Sequence, residues 1–217
     1  MSSIDRESGP ACAVAAVPAI VALLAGRRGP AAVLAGLPIG VAAFFRDPDR
    51  APDDGTVDPD LVVSPADGRV MYAGPGQAGV APAGQWQQVS VFLSLLDVHI
   101  NRAPYAGRVT EVTYRPGRWL AAYRHESAHL NERTDITTRL EVRGDTREVR
   151  FRQVVGLLAR RVVTRIRVGD DLTTGQRIGL MKFGSRMDVF VPMTVGLLIA
   201  RGDRVVAGET PIGRWPA

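Results

Sequence analysis

The chain has 217 residues, enough for one domain with a real core after an N-terminal appendage is subtracted, and too few for two comfortable domains. Its 27 basic and 22 acidic residues leave a formal charge of +5, carried almost wholly by arginine because Lys182 is the only lysine. A basic surface favours anionic lipid headgroups, whereas nucleic acid is set aside: the arginines are mixed with acidic residues, and no helix-turn-helix, zinc-ligand or RNA-recognition pattern accompanies them. The single cysteine, Cys12, excludes an intrachain disulfide and a cysteine-based metal site. His125 and His129 stand at helical spacing but lack the glutamate of a His-Glu-x-x-His site, so no metal is expected.

Residues 11–26 and 30–45 are two uncharged apolar runs, separated by Gly26-Arg27-Arg28-Gly29-Pro30 and interrupted by Pro18 and Pro38. They predict a membrane-associated helical hairpin over 1–45. Each run is shorter than the roughly 20 residues that cross a bilayer comfortably, so a shallow hairpin and two true spans both stay open. The leader Ser2-Ser3-Ile4-Asp5-Arg6-Glu7-Ser8 lacks the basic start of a signal peptide and a second apolar run follows, which favours retention. A buried hairpin in a soluble protein is the plainer alternative. Residues 46–60, dense in Pro, Asp and Gly, read as a linker.

From Leu61 onward the pattern changes to short, often alternating runs: 88–93, 108–114, 137–142 and 162–168, each bounded by Gly, Pro or Asp. This predicts a mostly β, antiparallel, sandwich-like domain over 61–217, with a short helix or ordered loop in 118–133. The segment Gly169-Asp170 to Gly179 resembles Gly202-Asp203 to Gly213, a Gly-Asp rhythm also found in the barrel-sandwich folds of biotinyl and lipoyl carriers. The carrier function itself fails, because Lys182 lacks the hairpin setting of a carrier lysine.

The stretch Lys182-Phe183-Gly184-Ser185-Arg186-Met187-Asp188 sets a Gly-Ser bond between β-type runs. Glycine has no Cβ to shield its carbonyl and tolerates strained angles, so a well-placed serine hydroxyl can attack that carbonyl and turn the amide into an ester. Elimination from the ester leaves dehydroalanine, which hydrolyses to an N-terminal pyruvoyl ketone. Losing CO2 from an amino acid leaves electrons at Cα, and such a ketone accepts them. A lone Gly-Ser pair is common, however, and by itself reads as a turn.

Two further segments precede it: Val63-Ser64-Pro65-Ala66-Asp67-Gly68-Arg69-Val70, and 92–109 with Asp97-Val98-His99-Ile100-Asn101-Arg102-Ala103-Pro104 at its centre. Together with Phe44-Phe45-Arg46-Asp47-Pro48 and Asn131-Glu132-Arg133, these segments resemble the phosphatidylserine decarboxylase proenzymes of the short bacterial and archaeal form, across roughly residues 44 to 213. The resemblance implies a self-processing, pyruvoyl-dependent carboxy-lyase that converts phosphatidylserine to phosphatidylethanolamine and CO2 at the cytoplasmic side of the cell membrane. It makes Ser185 the cleavage nucleophile and pyruvoyl source, with a β chain of 1–184 and an α chain of 185–217. Asp67, otherwise a turn residue, is implied to orient or assist the base, and His99 to move protons.

Longer family members carry a second histidine where this chain has Arg102. Either His99 serves both self-cleavage and decarboxylation, paired with Asp67, or another residue has taken over one step. Arg102, Arg133 and Arg186 are candidates for the substrate phosphodiester or carboxylate. Implied partners are the phospholipid, the membrane and the two chains of one precursor, with a homo-oligomer left open. Competing readings are a decarboxylase of a related serine phospholipid, a membrane-anchored serine hydrolase using Ser185 with Lys182 or His99, and a tethered non-catalytic adaptor.

Overall fold

A computed structural model describes residues 3–50, 58–157, 161–182 and 184–216. Residues 51–57 of the expected linker, and Phe183 beside the Gly-Ser bond, lie outside the described residues. The chain divides into two compact units, Met1–Asp49 and Arg50–Ala217.

In the first unit, β1 (Ser3–Ile4) pairs antiparallel with β2 (Arg46–Asp47), closing a helical hairpin at its ends. One arm is α1 (Ser8–Leu24); the other comprises α2 (Arg28–Leu34) and α3 (Gly36–Phe44), both packed back on α1. The second apolar run divides because Pro38 has no N–H to continue the ladder, and it sits instead in the first turn of α3, where none is needed. Among the described residues, no helix is long and apolar enough to cross a membrane. The hairpin still leaves Val14, Leu24, Val33 and Ile39 largely exposed. Arg46 and Asp47, expected in the linker, belong to this pairing.

The second unit is mostly β and antiparallel. Its strands are β3 (Leu61–Val63), β4 (Gly68–Pro75), β5 (Trp86–Leu93), β6 (Ile100–Arg102), β7 (Gly107–Arg115), β8 (Arg133–Val142), β9 (Asp145–Val154) and β10 (Val162–Thr164). They continue with β11 (Asp171–Leu172), β12 (Arg177–Met181), β13 (Ser185–Pro192), β14 (Gly196–Leu197), β15 (Arg204–Val205) and β16 (Pro211–Arg214). Among the described residues, the main sheet runs β11-β7-β8-β9-β13-β5-β4-β15, beside two smaller sheets, β10-β12-β6 and β14-β16-β3. Register breaks between Val70 and Tyr72 and between Val109 and Glu111 let the long strands bend. The run expected over 162–168 ends as a strand at Thr164, although the Arg165 amide still donates to the Ile178 carbonyl at 2.8 Å.

Side chains alternate across the main sheet. Met187, Val189 and Val191 of β13 join Val91, Ile136 and Phe151 in the principal core. The opposite face carries Phe190, packed with Val80 and Ala128, and Arg152, which donates to the Val80 and Ala128 carbonyls at 2.9 and 3.1 Å. Ala128 lies on the short helix α4 (Ser127–Leu130), within the segment expected to hold a helix or ordered loop. Both faces of β13 are therefore covered. In the two Gly-Asp segments, the Gly169 amide donates to Val109 and the Gly202 amide to Val70, at 2.9 and 2.8 Å. Val109 and Val70 return bonds to the Asp170 and Asp203 carbonyls at 2.8 and 2.9 Å.

Across β8 and β9, Arg139 stands opposite Glu148 and donates to it at 2.7 Å, as does Arg150. Burial raises the Glu148 carboxyl, but the bonds from Arg150 and Arg139 outweigh it and hold the group below the ordinary 4.5. The folded state thus binds this proton less readily than the unfolded chain, so the stabilisation is complete above the ordinary value and is lost as pH falls through the depressed one. Glu148→Gln is expected to cost about 1 kcal/mol at pH 7, roughly 2–4 °C in melting temperature. Thermal melts should converge with wild type in strong acid.

Candidate self-cleavage site

Ser185 opens β13 and pairs with Leu93 of β5. Its side chain is fully buried, and its Oγ has no hydrogen-bond partner among the described residues. An orphaned buried hydroxyl is uncommon and is the state in which a serine can be turned on a nearby carbonyl. Gly184 has φ +69°, in the left-handed region, with open space where a Cβ would stand. Conformation rather than room demands glycine here. Its carbonyl oxygen is pressed against Gly156, just past the end of β9: a Cβ built on Gly156 would lie 1.7 Å from that oxygen. No side chain can occupy position 156 without displacing the Gly184 carbonyl.

His99 reaches the same bond from the segment leading into β6. The Gly184 amide donates to His99 Nε2 at 3.3 Å, and His99 Nδ1 lies 2.9 Å from the Asp97 carbonyl oxygen. A carbonyl can only accept, so Nδ1 carries the proton and Nε2 presents a lone pair toward the Gly-Ser bond. His99 is 3 % exposed.

Asp67 stands two residues before the row formed by Arg69, Phe92 and Arg186 across β4, β5 and β13, and Ser185 one residue before it. This places Asp67 at the same end of the sheet, two strand spacings or about 10 Å from Ser185. Its carboxylate forms an ion pair with Arg50, whose Nη2 donates at 2.9 Å, and accepts from the Ala207 amide at 2.9 Å. The structure therefore gathers Gly184, Ser185 and His99 at one point and leaves Asp67 about 10 Å from Ser185, bonded to Arg50 and the Ala207 amide.

The three candidate arginines all have protein partners. Arg102 is buried and donates to the Gly175 carbonyl at 2.9 Å. Arg133 pairs with Asp135 at 3.6 Å. Arg186 donates to Asp188 at 2.7 Å and to Ser90 Oγ at 3.1 Å. The last two bonds belong to a buried network in which Ser90 also donates to Asp188 at 2.6 Å and receives from Gln88 at 2.9 Å. It locks β13 to β5 on the face opposite the Ser185 side chain.

Sequence reasoning missed two supports. Gly156 carried no signal, because only its approach to Gly184 makes it special. Asn131, part of a noted motif, accepts from the Leu120 amide at 2.9 Å and donates to the Leu120 and Val155 carbonyls at 2.8 Å each. It thereby pins the 118–132 segment beside Gly156, and Ala122 of that segment also packs there. An apolar cavity of about 490 Å³ opens at Gly184, lined mainly by Phe92, Leu95, Leu96, Ala121, Tyr123 and Leu157.

A buried hydroxyl without a hydrogen-bond partner, a histidine nitrogen bonded to the Gly184 amide and a glycine carbonyl laid against Gly156 thus meet at the Gly184-Ser185 bond. Comparison with known proteins gives the family. The family model described as phosphatidylserine decarboxylase matches residues 39–213. The phosphatidylserine decarboxylase proenzyme of Symbiobacterium thermophilum is 46% identical over 98% of this chain and 96% of its own length. That of Solibacter usitatus is 42% identical, over 94% and 92%, and that of Chlorobium chlorochromatii 45%, over 79% and 77%. The chain belongs to the phosphatidylserine decarboxylase family.

Gly156→Ala is expected to slow conversion of precursor to fragments by at least about a hundredfold, since displacement of a reacting group by an ångström has that cost. Gel analysis of freshly made chain over time measures it, with circular dichroism to confirm that the β unit is folded.

Proposed function

We propose that this chain is a self-processing, pyruvoyl-dependent decarboxylase that converts phosphatidylserine to phosphatidylethanolamine and CO2 in membrane phospholipid synthesis. The observation that carries the reading is the buried, unpartnered Ser185 Oγ beside the Gly184 carbonyl in a chain of this family. His99 Nε2 gives up the bond it accepts from the Gly184 amide and takes the Ser185 proton as Oγ adds to the Gly184 carbonyl carbon. The C–N bond then breaks, the proton passes to the freed amine of residue 185, and an ester joins the two chains. Removal of the residue 185 α-proton expels the Gly184 carboxylate, ending the β chain of 1–184. The dehydroalanine left at 185 takes up water and loses ammonia, so the α chain of 185–217 begins with a pyruvoyl group.

That group supplies a ketone for the substrate amine and a sink for the electrons left when CO2 departs. The residues present fit its formation, since Ser185 is orphaned and its carbonyl target is held by Gly156. In decarboxylation, His99 Nε2 returns a proton to the substrate Cα. Asp67, tied to Arg50 and the Ala207 amide, supports the base by holding the end of the sheet. The apolar cavity at Gly184 receives the glycerol and first methylenes of the lipid.

The exposed apolar side chains of the helical hairpin support anchoring of residues 1–45 to the cytoplasmic face of the cell membrane. The paired Gly-Asp turns support reading the β unit as a barrel-sandwich fold. Mass analysis of purified wild type is expected to give two fragments divided at Gly184-Ser185, the smaller trapped by a carbonyl reagent. Ser185→Ala should stay one chain and release no CO2 from phosphatidylserine; an active, uncut wild type would instead favour a serine hydrolase. His99→Ala should slow the cut by about 10²–10⁴-fold, the usual contribution of a positioned base.

A further inference from the structure

The turn between Leu93, which pairs with Ser185, and His99 is tightly closed. The Ser94 amide and hydroxyl both donate to Asp97 Oδ2, at 2.7 and 2.6 Å, and the Asp97 amide donates back to the Ser94 carbonyl at 3.1 Å. Small polar residues, Gly and Pro usually fill the centre of such a turn. Here Leu95 and Leu96 fill it, 50% and 83% exposed, and Tyr123 and Leu157 add further exposed apolar surface at the same cavity mouth. A contiguous apolar rim open to water marks an interaction surface.

What lies beside the rim selects its occupant. Phe92 and Tyr123 meet edge to face at 6.2 Å. They also line a second cavity of about 450 Å³ with Arg69 and Arg201, both exposed. Arg204, also exposed, approaches Asp97 at 3.7 Å. The acids in this neighbourhood are engaged in turns: Asp97 holds Ser94, and Asp203 accepts from the Ala200 amide at 2.8 Å. An apolar tip flanked by arginines complements a surface of acyl chains beneath anionic phosphates.

We propose that this rim is the face by which the β unit docks on an anionic bilayer, with Leu95 and Leu96 inserted among acyl chains and Arg69, Arg201 and Arg204 on lipid phosphates. The proposal rests on the decarboxylase reading, in which a diacyl substrate must reach Gly184-Ser185 without leaving the bilayer. The Asp97 carbonyl holds His99 Nδ1, so the docking turn and the base occupy one short segment.

The test uses the full chain carrying Cys12→Ser and Leu96→Cys, labelled at residue 96 with an environment-sensitive fluorophore. The probes are phosphatidylcholine vesicles with or without phosphatidylglycerol. With phosphatidylglycerol, the label should shift to the blue and be quenched by spin-labelled acyl chains, while a label at Leu198→Cys stays in water. A label at 96 that remains in water on vesicles whose phosphatidylserine is being turned over overturns the proposal. So does a shift that grows with protein concentration without lipid, which assigns the rim to a second copy. In unlabelled chain, Leu95→Ser with Leu96→Ser should raise the ratio of kcat/KM on short-chain, micelle-free phosphatidylserine to that on vesicles by about tenfold; an unchanged ratio also overturns it. Chain cleavage and CO2 release from the short-chain lipid, read on the same samples, report separately on the decarboxylase reading and leave the label to decide docking.

Discussion

The Gly184 carbonyl lies so close to Gly156 that no side chain fits between them, and this contact sets the direction in which the Gly184-Ser185 bond faces. The surrounding structure keeps both partners still. β13 is hydrogen-bonded on both sides, to β5 from Ser185 and to β9 from Arg186, so the strand after the bond cannot shift along or across the sheet without breaking two ladders. The Arg186–Asp188–Ser90–Gln88 network ties the covered face of the same strand. Asn131 holds the 118–132 segment over Gly156 with bonds to Leu120 and Val155. The backbone on both sides of the bond is thus confined by packing and hydrogen bonds.

The sheet order also explains how a chain cut at this bond would stay one object. Everything after Gly184 is distributed through the fold: β13 between β5 and β9, β15 on β4, and β16 on β3. The Asp67 carboxylate reaches across the same divide to the Ala207 amide. Breaking the Gly184-Ser185 linkage removes one covalent bond but leaves these ladders and the shared core of Val91, Phe151, Met187 and Val189 intact. Two such pieces would be held as strands in a sheet are held, and a new terminus would stay where the serine was.

Apolar surface occurs in each unit for a different structural reason. The helical hairpin of Met1–Asp49 is apolar nearly all round, so packing its arms together cannot hide every side chain. In the β unit the exposed leucines are local, confined to a turn whose polar ends are satisfied and whose centre points outward. The first follows from composition. The second follows from hydrogen bonding at Ser94 and Asp97.

Alternation of side chains made the antiparallel β character legible, because a strand covered on one face must repeat every two residues; the strands beginning at Trp86 and Gly107 match runs visible in the sequence. The three segments bearing Asp67, His99 and Gly184-Ser185 stood out only together, through their resemblance to one family, since each alone reads as a turn or a packed residue. What the chain alone left open were relations between distant positions. Arg102 turns to the Gly175 carbonyl, Asp67 to Arg50 and the Ala207 amide, and Gly156 becomes essential only through the carbonyl laid against it. Local pattern fixes which residues can form strands, since that depends on side-chain type and period. Which atoms meet is decided by strand order and register, and these arise from long-range pairing that no short stretch of sequence contains.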